Sequence, residues 1–347
     1  MPSLLEWSEL ARAREALRGG ADRVVLEGLW GSAKALALAG LLSPERPACV
    51  IVAPGVRVVR AVDDLRAFVA LTGVKVPGEV VAFPAPHAAL WRGGAEREED
   101  AERAALLGRL LRGEPLWVVT PPRGVTGPLP APEALRRQLL TIAVGDVLDR
   151  EALVEHLAAV GYERVATVSE VGQWSVRGGI VDLFSPARAT PVRLELCGDE
   201  VESIRGFDPG SQRSTEALAS IAVLPMVPAG TGPATLLGFF PADAPAVVDE
   251  PGLFEPAEGE PDLRPALAGR PRVECGLLVT GAPAGGGTFR LDTRSVEGFR
   301  GQFRRLAARL VEWRAEGFRV RLMAGEPPTA GRIREILHDH DLEGPLV

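Results

Sequence analysis

The sequence contains no asparagine, a single tyrosine and only three cysteines among its 347 residues. Cys49, Cys197 and Cys275 are far apart and odd in number, so they fit neither a zinc-binding spacing nor a disulfide framework. No apolar run approaches the roughly 18 residues that a membrane-spanning helix requires. The first residues contain no basic stretch followed by an apolar one, which excludes a secretory signal. Together these absences predict a cytoplasmic protein that makes no use of a membrane.

The net charge is too negative for a protein that would bind nucleic acid mainly through its phosphates. The formal net charge is −7, from 39 Lys and Arg residues against 46 Asp and Glu residues, and Lys34 and Lys75 are the only lysines. Affinity that comes from phosphate neutralisation usually requires a basic surface. The balance therefore argues against DNA binding as the main activity, although local basic patches are compatible with it.

The first region of the chain alternates between strand and helix patterns. Short β-branched runs that stop at glycine or proline predict strands, and longer stretches with one apolar stripe predict helices. The predicted strands are Arg23–Gly28, Cys49–Pro54, Glu79–Phe83 and Leu116–Thr120, and the predicted helices are Ala33–Leu42, Val62–Leu71 and Glu96–Leu111. This order predicts a mainly parallel sheet covered by helices.

Proline and glycine mark a change of pattern after this region, at Pro121–Pro122 and Gly127–Pro132. A helix and several short alternating strands separated by glycine turns follow, which is typical of an α+β domain with an antiparallel sheet. These elements are a helix at Arg150–Val160, ended by Gly161, and strands at Gln173–Arg177, Arg193–Leu196 and Glu200–Ile204.

The strand–helix pattern returns after about residue 215. Ala246–Glu250 and Phe318–Ala324 are predicted strands, and Gly331–His338 is a predicted helix. Another helix is predicted from one apolar seam that contains Phe299, Phe303, Leu306, Leu310 and Trp313.

A degenerate phosphate-binding motif follows the first predicted strand. Gly28 and Lys34 match the P-loop pattern G-x-x-x-x-G-K-[ST], but Ala33 replaces the second glycine and Ala35 replaces the Ser or Thr. Glycine lets backbone amides turn inward around phosphates, and the missing hydroxyl is a direct Mg²⁺ ligand. A relic turn between strand and helix is therefore favoured over productive ATP hydrolysis.

Asp249 and Glu250 follow the apolar run Ala246–Val248 and loosely match the acidic pair of nucleotide-hydrolysing folds. Such pairs are common after strands and mean little alone. Together with Gly28 and Lys34 they predict a decayed nucleotide-binding site without catalytic residues.

The fold class that these patterns predict is α/β. A degenerate P-loop, helicase-like parallel-sheet domain, formed by residues 1–122 and 215–347, is split by an inserted α+β domain at residues 123–214.

Two further clusters have plain structural explanations. The segment His338-Asp339-His340-Asp341 is similar to a metal site, but residues two apart do not share a helix face, and histidine at a helix end suits the helix dipole. We predict no metal there. The row Arg300, Arg304, Arg305 and Arg309 is best explained as a solvated helix face, and nucleic-acid contact is the alternative.

The middle region contains five segments that together form a specific pattern: Gly161–Arg164, Trp174–Phe184, Arg193–Arg205, Phe207–Pro209 and Gln212–Ser214. These segments resemble the domain shared by UvrB and the bacterial transcription-repair coupling factors (the Mfd family), which in those proteins binds UvrA. The flanking regions resemble the split first domain of the same module more weakly.

Two departures separate the chain from UvrB. The P-loop is eroded, and Tyr162 is the only tyrosine, so the tyrosine-rich DNA-inserting hairpin of UvrB is missing. Both departures match the coupling factors. The resemblance then implies an N-terminal UvrB-homology piece of a longer protein, in which RNA polymerase, DNA, ATP and Mg²⁺ are bound by other domains. This piece itself is expected to need no cofactor.

The resemblance places the UvrA-binding arginines at Arg164 and Arg177, with Phe184 as a third contact that could instead be core. Alternation along the Gln173–Arg177 strand agrees, since Arg177 lies opposite the core-facing Trp174 and should point outward. A guanidinium forms paired hydrogen bonds to carboxylates and is a good interface anchor. The alternative is an ion pair within the chain, for example with Glu195.

The predicted function is thus a docking module that recruits UvrA to stalled RNA polymerase in transcription-coupled nucleotide excision repair. The alternative is a catalytic lobe of an ATP-dependent, UvrB-like DNA helicase. A third possibility is a fold that binds ATP without hydrolysing it.

Overall fold

A computed structural model describes residues 7–43, 45–53, 56–72, 79–85, 94–227, 232–254, 261–279, 287–299, 301–322, 327–340 and 342. The strands in chain order are β1 (Arg23–Glu27), β2 (Ala48–Ile51), β3 (Val80–Ala82), β4 (Trp117–Thr120), β5 (Leu140–Ala143), β6 (Glu163–Arg164), β7 (Gln173–Arg177), β8 (Ile180–Leu183), β9 (Val192–Cys197), β10 (Glu200–Phe207), β11 (Ser214–Ala217), β12 (Ser220–Val223), β13 (Ala246–Asp249), β14 (Arg272–Cys275) and β15 (Thr288–Arg290). The α-helices are α1 (Ser8–Arg18), α2 (Ala33–Leu41), α3 (Val56–Thr72), α4 (Gly94–Leu111), α5 (Pro122–Thr126), α6 (Pro132–Gln138), α7 (Arg150–Ala159), α8 (Arg264–Leu267), α9 (Phe303–Ala315) and α10 (Pro327–His338). Leu236–Phe239 and Pro251–Phe254 form 3₁₀ turns.

One sheet is parallel and has seven strands among the described residues, in the order β15-β1-β14-β13-β2-β4-β3. Its strands β2 and β4 are buried along their whole length, as expected for the centre of a parallel sheet covered by helices on each side. Val50 of β2 belongs to the core that contains Leu38 of α2. Its neighbours Cys49 and Ile51 belong to the opposite core, with Leu107 of α4. The predicted helix-covered parallel sheet is confirmed.

The order of the strands shows how the chain closes this sheet. β13 and β14 lie between β1 and β2, so segments from either side of the middle region interleave. The turn after β1 and the residues after β13 consequently lie at the same edge of the sheet, because parallel strands end on the same side.

The second sheet has six strands in the described part of the chain, in the order β11-β10-β9-β8-β7-β6. Its pairings are antiparallel except for the short parallel β6–β7 pair. Helix α7 packs Leu153 and Leu157 into a core with Trp174 and Val181. The ribbon of β5 and β12 contributes Ile142 and Ile221 to the same core. The prediction of a separate antiparallel α+β unit is confirmed.

Local sequence explains the limits of α7. The Asp149 side chain accepts hydrogen bonds from the amides of Glu151 and Ala152 at 2.8 and 3.2 Å, which caps the helix N-terminus. Gly161 follows the helix with a φ of +89°, a conformation that favours glycine. The helix thereby fixes where the chain enters the antiparallel sheet.

The division of the chain at 122/123 and 214/215 stays a prediction. On the structure, β11 runs across position 214/215. Val125 and Leu135, which follow position 122, belong to a core of the parallel sheet. Helix α4 of the parallel-sheet region also contributes Ala101 to the core of the antiparallel sheet, and Arg97 pairs with Glu163 at 2.5 Å.

The last region differs from its prediction in one element. Helices α9 and α10 form, and Leu306 and Trp313 of the predicted seam pack in a small cluster with Leu337. Helix α9 begins at Phe303, so Phe299 lies before it and meets Trp313 edge to face at 6.3 Å. The predicted strand Phe318–Ala324 is wrong as far as Leu322, since no strand of the described chain pairs with it. Residues 323–324 lie outside the described residues.

Among the helices of the described segments, none combines the length and the apolar composition that crossing a membrane would need.

Candidate functional site

The turn between β1 and α2 holds the degenerate phosphate-binding motif. Gly28 has a φ of +77° and lies against the segment after β15, where a Cβ atom would come within 2.5 Å of the Leu291 carbonyl oxygen. Glycine is therefore required here by close backbone packing, whatever the turn binds.

Backbone amides of this turn donate hydrogen bonds to protein acceptors instead of facing an open cradle. A P-loop holds phosphates with inward-facing amides, so amides already in use cannot serve that role without rearrangement. The donors and acceptors are Gly28 N to Leu277 O (3.1 Å), Leu29 N to Gly276 O (3.1 Å), Trp30 N to Thr293 Oγ1 (2.8 Å), Ala33 N to Trp30 O (3.1 Å) and Lys34 N to Gly31 O (3.4 Å).

The side chain of Lys34 is held by both predicted acidic residues. Its Nζ lies 2.7 Å from Oδ1 of Asp249 and 2.6 Å from Oε1 of Glu250. Successive strand residues normally point to opposite faces, but Glu250 follows β13 with a φ of +53°, which turns its carboxylate to the same side as Asp249. The structure thus brings Gly28, Lys34, Asp249 and Glu250 together at one edge of the parallel sheet.

Electrostatics in this cluster follow from burial and from one ammonium shared by two carboxylates. Burial lowers the pKa of Lys34, but the hydrogen bonds to Asp249 and Glu250 outweigh it, so this pKa is raised. Burial raises the pKa of Asp249, and the ammonium of Lys34 offsets this only in part. Lys34 is therefore stabilised in its charged form, whereas burial disfavours the ionised form of Asp249.

A cavity of about 400 Å³ opens beside Lys34 and also has Arg57, Arg60 and Asp64 in its wall. Its wall therefore carries equal numbers of cationic and acidic side chains. The cationic ones are Lys34, Arg57 and Arg60, and the acidic ones are Asp64, Asp249 and Glu250. An incoming phosphate would have to displace both carboxylates from Lys34. The arrangement favours a self-paired site over a nucleotide site.

The other predicted site residues lie on the antiparallel sheet. Arg177 ends β7, and 56% of its side chain is exposed. Its neighbour Trp174 is buried in the core, on the opposite face. Arg177 does form an ion pair within the chain, but with Asp182 on β8, whose Oδ2 accepts from its Nη2 at 3.1 Å. Glu195, which the sequence suggested as an ion-pair partner of Arg177, instead accepts a hydrogen bond from the Ser203 hydroxyl at 2.6 Å.

Asp182 is a functional candidate that sequence reasoning missed. It is only 1% exposed and also accepts two hydrogen bonds from Arg193, at 2.7 Å from Nε and 2.9 Å from Nη2. Because Arg193 donates these hydrogen bonds to the carboxylate of Asp182, its pKa is raised. The guanidinium of Arg193 in turn covers the Phe207 ring at 5.0 Å. The one signal in the sequence is an acidic residue inside the apolar run Ile180–Leu183.

Arg164 and Phe184 are placed differently from each other. Arg164 is exposed on β6, and its guanidinium carbon lies 5.4 Å from the centre of the Trp174 ring. Strand pairing puts Arg164 opposite Trp174, hence on the face away from Arg177. Phe184 is half-buried and continues the β7–β8 ladder, with its amide donating to Gln173 O at 2.9 Å. Alternation from Asp182 places Phe184 on the Arg177 face.

The two remaining clusters are described only in part, and Asp341 of the His338–Asp341 segment lies outside the described residues. Within the described segments, no group of three or more His, Cys, Asp or Glu side chains could hold a metal ion. In the predicted arginine row, Arg305 pairs with Glu297, and Arg309 pairs with Glu312 at 2.5 Å and covers the Trp313 ring. Arg300 lies outside the described residues.

Comparison with known proteins assigns the antiparallel unit. The sequence model of the UvrB interaction domain family matches residues 140–227, from β5 to just beyond β12. The docking candidates Arg164, Arg177 and Phe184 lie inside this range, whereas Lys34, Asp249 and Glu250 lie outside it.

Curated relatives extend the likeness beyond that domain. The chain is 40% identical over 131 residues to a transcription-repair-coupling factor of Bacillus subtilis, which is 38% of this chain and 11% of that protein. It is 35% identical over 221 residues to one of Myxococcus xanthus, 62% of this chain and 18% of that protein. A third, of Staphylococcus epidermidis, is 36% identical over 123 residues, which is 35% of this chain and 10% of that protein. The matched part thus spans less than a fifth of each relative.

Residues 140–227 thus match the UvrB interaction domain family, and the chain that contains them is similar to part of the transcription-repair-coupling factors.

Proposed function

We propose that this chain is a docking module that binds UvrA through its UvrB interaction domain and does not hydrolyse ATP. The observation that carries the proposal is Arg177 of the matched domain, whose side chain is 56% exposed and pairs with the buried carboxylate of Asp182. Exposed arginines with a fixed orientation are frequent anchors of protein interfaces, because they form directional hydrogen bonds to carboxylates.

The contact surface of the proposal has two parts. Arg177 and Phe184 share one face of the β7–β8 hairpin, and they supply a guanidinium and an aromatic ring for one partner surface. Arg164 lies at the edge strand β6, where stacking on Trp174 fixes its position and leaves it exposed. A partner that contacts all three residues must reach around this sheet edge.

The helicase alternative receives less support. An ATP-dependent lobe needs free amides around the phosphates and a hydroxyl for Mg²⁺. Here five amides of the β1–α2 turn donate to the protein, Ala35 has no hydroxyl, and Lys34 is paired with Asp249 and Glu250. On the same grounds we propose that the site does not bind ATP at all, so that the third possibility, ATP binding without hydrolysis, is also disfavoured.

The finer part of the proposal concerns the longer protein in which such a module works. The relatives are named as transcription-repair-coupling factors, and a module that docks UvrA within one of them would bring UvrA to a stalled RNA polymerase. In that setting, the contacts with DNA, RNA polymerase and ATP with Mg²⁺ belong to other domains of the full-length protein.

Titration calorimetry of the complete chain with purified UvrA tests the proposal. We expect saturable binding with a defined stoichiometry, unchanged by ATP added to the chain alone. Absence of saturable binding to UvrA that is itself active in DNA binding would contradict the docking function.

A further inference from the structure

Asp182 is an acidic residue in the middle of an apolar strand. Its neighbours Val181 and Leu183 are fully buried, and Asp182 itself is 1% exposed. A carboxylate in such a position is costly unless hydrogen bonds and opposite charge compensate it. Arg193 and Arg177 supply that compensation, with hydrogen bonds of 2.7, 2.9 and 3.1 Å.

The two arginines use Asp182 in different ways. Arg193 donates from both Nε and Nη2, covers the Phe207 ring, and keeps only 17% of its side chain exposed. Its guanidinium is thus fixed against the protein. Arg177 donates a single hydrogen bond to Asp182, from Nη2, and 56% of its side chain remains exposed. Within the described residues, Nε and Nη1 of Arg177 donate no hydrogen bond.

Arg177 is the exposed cation of this group and is the member that can meet an anionic partner. With Glu195, whose charge also acts on Arg193, two guanidinium groups balance two carboxylates, but 56% of the Arg177 side chain is exposed and only 17% of that of Arg193. A guanidinium that is held at one nitrogen keeps a preferred orientation, so less side-chain entropy is lost when a partner carboxylate binds it.

We infer that Asp182 is a positioning residue, which holds the Arg177 guanidinium in the orientation that accepts a carboxylate of the docking partner, while Arg193 holds Asp182. This inference rests on the docking function proposed above. It assigns Asp182 and Arg193 a role in recognition, although neither side chain is exposed enough to touch the partner itself.

The competing explanation is that Asp182 only stabilises the sheet by neutralising Arg193. Both explanations predict some loss of stability when Asp182 is changed, so a melting curve does not separate them. They differ in whether the effect of Asp182 on binding passes through Arg177, and a double-mutant cycle measures this directly.

The experiment compares UvrA binding by calorimetry for the complete chain, Asp182→Asn, Arg177→Ala and the double variant, below the lowest melting temperature of the four. We expect Asp182→Asn to weaken binding about fivefold to tenfold when Arg177 is present, and less than about twofold when it is absent. Asp262→Asn is the matched control, because it removes the same charge from the Asp262–Arg264 pair outside the interaction domain and should leave binding unchanged.

Arg177→Lys is a second variant that does not depend on Asp182→Asn folding well. Lysine keeps the charge but not the planar fork, so binding should fall more than about tenfold, toward the roughly thirtyfold loss expected for Arg177→Ala. Equal losses from Asp182→Asn with and without Arg177, or full affinity with lysine at 177, would overturn the positioning role. Full affinity of Arg177→Ala would instead contradict the proposed Arg177 contact, which keeps the two failures apart.

Discussion

The Nζ atom of Lys34 lies 2.6 Å from Oε1 of Glu250, a residue 216 positions further along the chain. Lys34 opens the helix after β1, and Glu250 follows β13 in a left-handed backbone conformation. Such strained conformations persist where surrounding structure requires them, and they cluster at functional sites. Here this conformation brings a second carboxylate, beside that of Asp249, onto Lys34 of the degenerate P-loop motif.

A first prediction concerns nucleotides. The complete chain should release no phosphate from ATP above background, with or without DNA, because its turn amides and Lys34 are already engaged and Ala35 cannot bind Mg²⁺. A ligand present at about 100 times its Kd would stabilise the fold by about 2.7 kcal/mol. Because we expect no binding, millimolar ATP and Mg²⁺ should leave the Tm of the chain unchanged. Turnover or a Tm shift that disappears in Lys34→Ala would show a working site.

A second prediction concerns the stability role of Lys34. Lys34→Met leaves the carboxylates of Asp249 and Glu250 together without a cation, which should lower the free energy of unfolding by roughly 2–4 kcal/mol, since the pair is mostly buried. The pKa of Asp249 is already raised by burial, and it should rise further without Lys34.

The pH dependence of that loss follows from linkage. A carboxyl whose pKa is higher in the folded than in the unfolded state binds its proton more tightly when folded, so stability falls as pH rises. Lys34→Met should therefore be less destabilising at about pH 5 than at about pH 8, as measured by urea unfolding. Adding Asp249→Asn should restore part of the stability. A loss that is the same at both pH values would speak against this account.

Sequence reasoning predicted the elements of this site better than their contacts. The P-loop spacing located Gly28 and Lys34, and an apolar run located Asp249 and Glu250, because both patterns are local. The left-handed conformation of Glu250 and the amide partners of the turn depend on β14 and on the segment after β15, which are distant in sequence.

The antiparallel sheet gives a similar lesson. Alternation correctly placed Arg177 opposite Trp174, but Glu195 was only an example of an ion-pair partner, and the partner found is Asp182. Which acid lies near Arg177 depends on the register of β7 with β8, and that register is set by packing across the whole sheet. The strand predicted at Phe318 failed for a related reason, because an alternating pattern forms a strand only beside a neighbour.

A third prediction uses the cysteines to test the fold. Cys49 and Cys275 are buried, and burial raises the pKa of Cys49 to about 12 and that of Cys275 well above its ordinary value. Cys197 is exposed at the end of β9. A thiol reagent should therefore modify Cys197 alone in the native protein and all three cysteines after unfolding. Cys197→Ser should abolish the native reaction; rapid labelling of Cys275 would contradict the burial of β14.

A fourth prediction concerns Arg164. Removing its guanidinium should weaken UvrA binding while leaving the Tm nearly unchanged, because an exposed arginine stacked on Trp174 adds little to stability. Arg136→Ala, an exposed arginine in α6, serves as the control outside the interaction domain. A large fall in the Tm of Arg164→Ala would assign the residue a structural role.

The central claim is that Arg177 anchors UvrA, and calorimetry of UvrA with Arg177→Ala tests it most directly. Truncating a central interface arginine commonly costs about 2 kcal/mol, which is roughly a thirtyfold loss of affinity. Arg177→Glu should bind more weakly still, because it sets like charges against the partner's carboxylates. Arg264→Ala, which removes an arginine that is 78% exposed and paired with Asp262, should bind as the unchanged chain does. The account predicts this order with Tm values close to that of the unchanged chain; full affinity of Arg177→Ala, or collapse of its Tm, would contradict it.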